Sequence, residues 1–174
     1  MIKDQLEYEV SQEWVEKFKK SIAAMERDEE EKRNNFLKWD AGRSALQCHI
    51  DRLEEEISEY ERLMNCDQIK PIEIIVENFT KLPDALIKAR IAAKMSEKEL
   101  AEMLEIDEER IKECEKKNYQ CASFIELLDV SFALGLEFKH AVMEVNFEEL
   151  EEVKKTAERR RQRKEKMKMA STTS

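Results

Sequence analysis

Ser96-Glu97-Lys98-Glu99-Leu100-Ala101-Glu102-Met103-Leu104-Glu105-Ile106-Asp107-Glu108-Glu109-Arg110-Ile111 reads as two short helices joined by a tight turn. Ser96 stands at an N-cap, and Glu99 three positions on completes a capping box, in which each side chain satisfies a free backbone N–H of the other residue. Leu100, Ala101 and Leu104 share one apolar face. Ile106 falls in the break, Asp107 is placed to cap a second helix, and Ile111 returns the chain to the core. A residue as small as Ala101 lets two helices cross closely. This is the pattern of a helix-turn-helix, whose second helix ordinarily lies in the major groove of DNA.

Composition agrees with a helical chain. Only two glycines and two prolines occur among 174 residues, and 41% of residues are charged. Such a sequence predicts an almost entirely helical protein with long exposed faces. No run of about 18 apolar residues exists, which argues against a membrane span, and the charged start Met1-Ile2-Lys3-Asp4-Gln5 does not read as a signal peptide. Cys48, Cys66, Cys114 and Cys121 match no zinc spacing, with only His49 and His140 to assist. They read as reduced thiols of a cytoplasmic protein, with no metal and no cofactor. An enzyme is not expected. Gly42 and Gly135 cannot build a phosphate loop, no Ser/His/Asp constellation is recognisable, and both histidines read as structural.

Upstream of the opening stretch lies a helical arm. Val15, Phe18, Ile22 and Met25 keep 3-4-3 spacing, the mark of one buried stripe. The charged run Asp28–Asn35 interrupts it, and apolar spacing resumes at Phe36 and Trp39. Leu46, Ile50, Leu53, Ile57, Tyr60 and Met64 then follow an unbroken 4-3-4-3-4 seam of coiled-coil type, with Glu54, Glu55, Glu56 and Glu59 mostly on its flanks. From Phe36 to Met64 the stripe is about 43 Å long at 1.5 Å per residue, too long to leave in water. The favoured reading is a hairpin turning at residues 28–35 that also forms a homodimer through the seam. A single long helix pairing with a second copy, or an arm packed back on the helix-turn-helix, also fits.

The remaining organisation follows from breakers and charge. Residues 1–66 are read as the arm, 67–82 as a linker, 83–145 as the helix-turn-helix domain, and 146–174 as a basic C-terminal helix with a frayed end at Ala170–Ser174. Pro71 bars a helix through the linker. Ile72, Ile74, Ile75 and Val76 suit a short extended piece, paired across a dimer or laid over the core. Pro83 suits the first turn of the next helix. After Gly135, Ala141, Val142 and Val145 suggest a short helix, and Asn146 with Glu149 suggests a new cap. Net charge is −9, yet residues 154–168 hold nine basic groups against two acids. Arg159, Arg160, Arg161, Arg163 and Lys164 have no apolar neighbour to pack on. They fit a nucleic-acid backbone, an acidic partner surface, or a solvated helix end where cations meet the C-terminal dipole.

From Leu82 to Leu136 the chain resembles the lambda-repressor/Cro-like (XRE) helix-turn-helix family. Leu86-Ile87-Lys88-Ala89-Arg90 resembles the first helix of that family, Ile111–Glu115 the end of its recognition helix, and Phe124–Leu128 through Ala133-Leu134-Gly135-Leu136 its fourth helix and glycine stop. The resemblance implies an all-α domain in which Arg90 and Glu115 form a structural ion pair. Glu7-Tyr8, Glu16-Lys17-Phe18 and Leu53–Glu61 are similar to the N-terminal region of prokaryotic XRE proteins that carry a coiled coil before the helix-turn-helix. Those proteins are described as antitoxin-like, or as regulators of mobile-element and defence genes.

Double-stranded DNA is therefore the expected partner, but the charges divide the argument. The positions matching the family's groove-facing residues are Glu97, Glu108, Glu109, Arg110, Lys112 and Glu113, with Lys116 and Lys117 behind them. Glu97 stands where the family often has glutamine, and Glu105 where it usually has glycine. Affinity for DNA rests on neutralising phosphates, so only the four cations help. One reading is a dimeric DNA-binding regulator of a small operon. The alternative is a degenerate helix-turn-helix whose acidic face binds a basic toxin or effector.

Overall fold

The computed structural model describes residues 1–171 and is all-helical, with eight α-helices and no strand among the described residues. The chain divides into two compact units, residues 1–137 and residues 138–174. No helix among the described residues is long and apolar enough to cross a membrane.

The first unit opens with a helical hairpin. Asp4 caps α1 (Gln5–Arg27) by accepting from the Glu7 N–H. Asp28 leaves helical geometry at φ −85°, ψ 76°, and its carboxylate caps the short α2 (Glu29–Asn34). Asn35 breaks the chain again before α3 (Phe36–Met64). Residues 28–35 thus form the turn. The antiparallel register is written in side-chain contacts: Tyr8 donates to Glu61 at 2.6 Å, the Phe18 and His49 rings stack 5.7 Å apart, and Arg43 meets Glu26 at 3.0 Å. Trp39 closes the turn by donating from Nε1 to the Met25 carbonyl at 2.9 Å.

Packing within the hairpin corrects the reading of the α3 seam as an oligomer surface. Val15, Ile22 and Ile50 form a buried cluster, flanked by Phe18, Leu46, Leu53 and Ile57. Tyr60 is buried in the neighbouring core. The stripe is covered by its own chain. Met64 drops out of it, because Leu63 is 1% exposed whereas Met64 is 36% exposed. Leu46 and Met64 stand 18 residues, or five whole turns, apart and so keep one line. What changes is the neighbour: the upper part of α3 packs on Val15 and Ile22, whereas Tyr60 and Leu63 pack in the cluster of Leu86, Ile87 and Ile91.

A 3₁₀ turn (Phe79–Lys81) leads into α4 (Leu82–Ala92), with Pro83 in its first turn where no N–H is needed. There follow α5 (Glu97–Leu104), α6 (Glu108–Lys116) and α7 (Phe124–Ala133), which stops at Gly135 with φ 63°. Leu86, Ile87, Ile91, Leu100, Ala101, Ile111, Cys114, Tyr119 and Val130 share one core with Ile2, Tyr60 and Leu63 of the hairpin. This corrects the division of the arm from the helix-turn-helix segment at 67–82, since both halves bury apolar surface in the same cluster. The N-terminus is tied in as well: the Met1 ammonium meets Glu56 at 2.9 Å. Residues 67–78 contain no strand. Ile72, Ile74 and Val76 are half-buried and alternate with exposed neighbours, so the segment lies over the unit in extended form, with Ile72 against the core.

An ion-pair cluster joins α3 to α4. Glu59 accepts from Arg62 at 2.7 and 3.1 Å and from Lys88 at 2.7 Å. The Arg62 bonds, then those of Lys88, outweigh partial burial and hold the Glu59 carboxyl down at about 2. A depressed carboxyl adds stability above the ordinary carboxylate range and loses it as pH falls toward the folded value. Glu59→Gln is therefore expected to cost about 1 kcal/mol near neutral pH, discounted for solvent screening. The difference from the parent should vanish as pH falls from about 4.5 to about 2, as urea titrations at several pH values would show.

In the second unit, residues 138–146 are not helical, which corrects the helix expected around Ala141, Val142 and Val145. Val142 and Val145 are 70% and 68% exposed, and so short a helix does not hold without packing. Asn146 accepts from the N–H groups of Glu148 and Glu149 at 3.1 and 3.2 Å and starts α8 (Phe147–Ser171). The helix continues through Ala170 and Ser171, where fraying was expected. Thr172, Thr173 and Ser174 lie outside the described residues.

Candidate nucleic-acid interface

Local sequence builds the α5–turn–α6 element. Ser96 Oγ accepts from the Glu99 N–H at 3.1 Å, while Glu99 accepts from the Ser96 N–H at 2.7 Å. Leu100 and Ala101 are buried and Leu104 is half-buried, so this face sits as its spacing predicts. Glu105 then adopts a left-handed conformation, φ 55°, ψ 39°, and the Ile106 N–H reaches back to the Ala101 carbonyl at 3.1 Å. Asp107 occupies the N-cap of α6, but its side chain makes no capping hydrogen bond. That corrects its reading as a cap: α6 is anchored by burial of Ile111 and Cys114 instead. A glutamate in the left-handed region carries a Cβ clash that glycine avoids. Glu105→Gly is expected to raise the unfolding free energy by about 0.5–1 kcal/mol, read as a higher urea midpoint.

Arg90 and Glu115 are brought together inside the core. Arg90 Nε and Nη2 donate to the two Glu115 oxygens at 2.6 and 2.7 Å, and Nη1 donates to the Met95 carbonyl at 2.9 Å. Relative exposures are 7% for Arg90 and 1% for Glu115, so neither charge is shared with solvent. Two participants were not visible in the spacing. Lys3 Nζ donates to the Glu115 carbonyl at 2.6 Å and to Asn118 at 2.7 Å. The Tyr119 hydroxyl lies buried beside the pair with no hydrogen-bond partner in the structure. Burial first, and the Glu115 charge second, push its pKa up.

The outer face of α6 is a lattice of ion pairs. Arg110 donates to Glu126 from Nε at 2.9 Å and from Nη2 at 2.7 Å. Its Nη2 also reaches the Cys121 carbonyl at 3.1 Å, and Nη1 reaches Glu113 at 3.2 Å. Arg110 therefore ties α6 to the start of α7, rather than extending as a free groove-reading side chain. Glu126 was not singled out in the sequence as its partner, although Ser123-x-x-Glu126 announces it as a capping-box residue, a role it also fills. Lys112 sits 2.8 Å from Glu108 and 3.1 Å from Glu109, and Lys117 2.7 Å from Glu113. Hydrogen bonds to Glu108 and Glu109 hold the Lys112 ammonium well above the usual lysine range. Lys116 is exposed and enters no ion pair among the described residues. Glu97 is half-buried at the start of α5, with its pKa pushed up by burial and then by Glu115.

These pairs differ in what a nucleic acid could displace. Exposed lysine–carboxylate pairs are worth roughly 0–1 kcal/mol, so a phosphate can take over Lys112 or Lys117. The Arg110 contacts include a backbone carbonyl and a two-nitrogen grip on one carboxylate, and they hold the turn before α7 in place. In the second unit, Lys154 and Lys155 pair with Glu151 and Glu152 at 2.6 and 2.8 Å. Arg159, Arg160, Arg161, Arg163 and Lys164 are exposed and enter no ion pair among the described residues. No group of three or more His, Cys, Asp or Glu side chains among the described residues is placed to hold a metal ion. No protein-family model, no curated protein and no solved structure matches this chain.

Proposed function

We propose that residues 82–136 are a lambda-repressor-like helix-turn-helix with α6 as recognition helix, and that the protein is a DNA-binding transcriptional regulator. The observation that carries this reading is the α5–turn–α6 element. A buried Arg90–Glu115 pair fixes it from beneath, and Glu109, Glu113 and Lys116 stand exposed on its outer face. In this account the protein is cytoplasmic, antitoxin-like or defence-linked, and represses a small operon as a homodimer that sets two α6 helices in successive major grooves. The dimer contact has to use a face other than the α3 stripe, which the hairpin covers.

Lys112, Lys116 and Lys117 would meet phosphates, and the α8 cations would add sequence-independent affinity. Reversing all three lysines to glutamate is the test. Duplex affinity is expected to fall at least tenfold and the log–log salt slope to shrink by about 3, since each phosphate contact contributes roughly −0.9. Unchanged helicity would exclude unfolding as the cause. Undiminished affinity would place the contact elsewhere.

A second reading has its own support. Glu105, Glu108, Glu109 and Glu113 surround α6, and Arg110, Lys112 and Lys117 are engaged by carboxylates. Such a face suits a basic toxin or effector protein. Under that reading the same triple variant leaves partner binding intact, and the parent shows no duplex selectivity to lose.

A further inference from the structure

Cys114 is buried on the inner side of α6, and Cys121 is half-buried in the connection to α7. Their sulfur atoms lie 3.8 Å apart, with the Cys121 thiol directed at Cys114. Arg110 Nη1 stands 3.8 Å from the Cys121 sulfur, and the same guanidinium holds the Cys121 carbonyl at 3.1 Å. Burial, and the bond from Cys121, push the Cys114 thiol up to about 11. The two thiols are therefore unlike: one reaches solvent beside a cation, the other is kept neutral in the core. Cys48 and Cys66 offer no comparable pair. They are separated by about 27 Å at 1.5 Å per helical residue, and the Cys66 thiol donates to the Ala92 carbonyl.

We infer that Cys114 and Cys121 form an oxidation site that a hydroperoxide converts into an intramolecular disulfide. A hydroperoxide arrives through solvent, so the half-buried Cys121 reacts before the buried Cys114. Its thiolate attacks one peroxide oxygen and the O–O bond breaks. The distal oxygen leaves as water (or an alcohol) after taking up a proton, and Cys121 becomes a sulfenic acid. The Cys114 sulfur then attacks the Cys121 sulfur. The S–O bond breaks, and its oxygen departs as water with the Cys114 proton. The sulfurs close from 3.8 Å to about 2.05 Å. The intervening turn, with Asn118 and Tyr119 at φ 47° and 53°, has to absorb that movement. The bridge tethers the last turn of α6 to the chain ahead of α7 and removes the sulfur contact of Arg110. None of this depends on which partner α6 meets.

The test uses the full chain carrying Cys48→Ser, which removes the exposed thiol and leaves three. The protein is treated with hydrogen peroxide, blocked with N-ethylmaleimide and digested with trypsin without reduction. Cleavage after Lys112, Lys116, Lys117 and Lys139 places the two cysteines in separate peptides, Glu113–Lys116 and Asn118–Lys139. The expected result is loss of two thiols together, a mass lower by two hydrogens, and those two peptides joined. Adding Cys121→Ser should leave Cys114 as a free thiol. Adding Cys114→Ser should leave Cys121 as a sulfenic acid that dimedone captures. Cys121 is only half-buried, so its variant remains informative if the Cys114 variant does not fold. Separate peptides with Cys121 alone oxidised, a bridge to Cys66, or no reaction at either residue would each overturn the inference.

Discussion

Arg90→Leu is expected to lower the unfolding free energy by about 3–5 kcal/mol. Glu115 is 1% exposed, and the substitution leaves its carboxylate buried without the guanidinium that grips both oxygens. The Met95 carbonyl would lose its donor too. Domains of this size are stable by only about 5–15 kcal/mol, so the variant would sit near the edge of folding. The double change Arg90→Leu with Glu115→Leu should recover much of the loss, because it removes both desolvated charges. Arg90→Lys should not, because an ammonium cannot supply the paired geometry. Urea denaturation of the four proteins checks this. A loss under 1 kcal/mol for Arg90→Leu would mean that solvent reaches Glu115.

Truncation after Val153 is expected to have the largest effect on binding. It removes Arg159, Arg160, Arg161, Arg163 and Lys164, which are exposed and in no ion pair among the described residues. Each cation that displaces a condensed counterion adds roughly −0.9 to the log–log salt slope. The truncation takes away all nine cations of residues 154–168, so the slope should shrink by about 4.5 where these five alone meet phosphates and by about 8 where all nine do. The affinity lost should be largest at low salt and equal for any duplex sequence, because phosphate contacts carry no base information. Anisotropy titrations from 50 to 200 mM salt measure both. An unchanged slope would assign the basic helix to an acidic protein surface or to solvent.

Local signals were the legible part of this molecule. The capping box at Ser96–Glu99, the buried face of Leu100 and Ala101, and the charged break at residues 28–35 act over a few residues, so spacing alone reports them. The Arg90–Glu115 pair came from a family resemblance, since nothing in periodicity joins residues 25 apart. What stayed hidden was long-range. Ile2 and Lys3 read as an unremarkable start, yet Ile2 enters the core and Lys3 bonds the end of α6. The exchange of Met64 for Leu63 depends on which element covers the end of α3, since Leu63 packs with Leu86, Ile87 and Ile91. The capture of Arg110 by Glu126 depends on how α6 meets α7, and it turns a candidate DNA contact into a tie between helices.

The central claim is that α6 reads DNA despite its carboxylates. Its most direct test is fluorescence anisotropy of the full chain and the Val153 truncation against the promoter of its own gene and a scrambled duplex of equal length. The account predicts at least tenfold tighter binding to the promoter, with that ratio kept by the truncated chain even as its absolute affinity falls. Binding that is blind to sequence and disappears with residues 154–174 would contradict it.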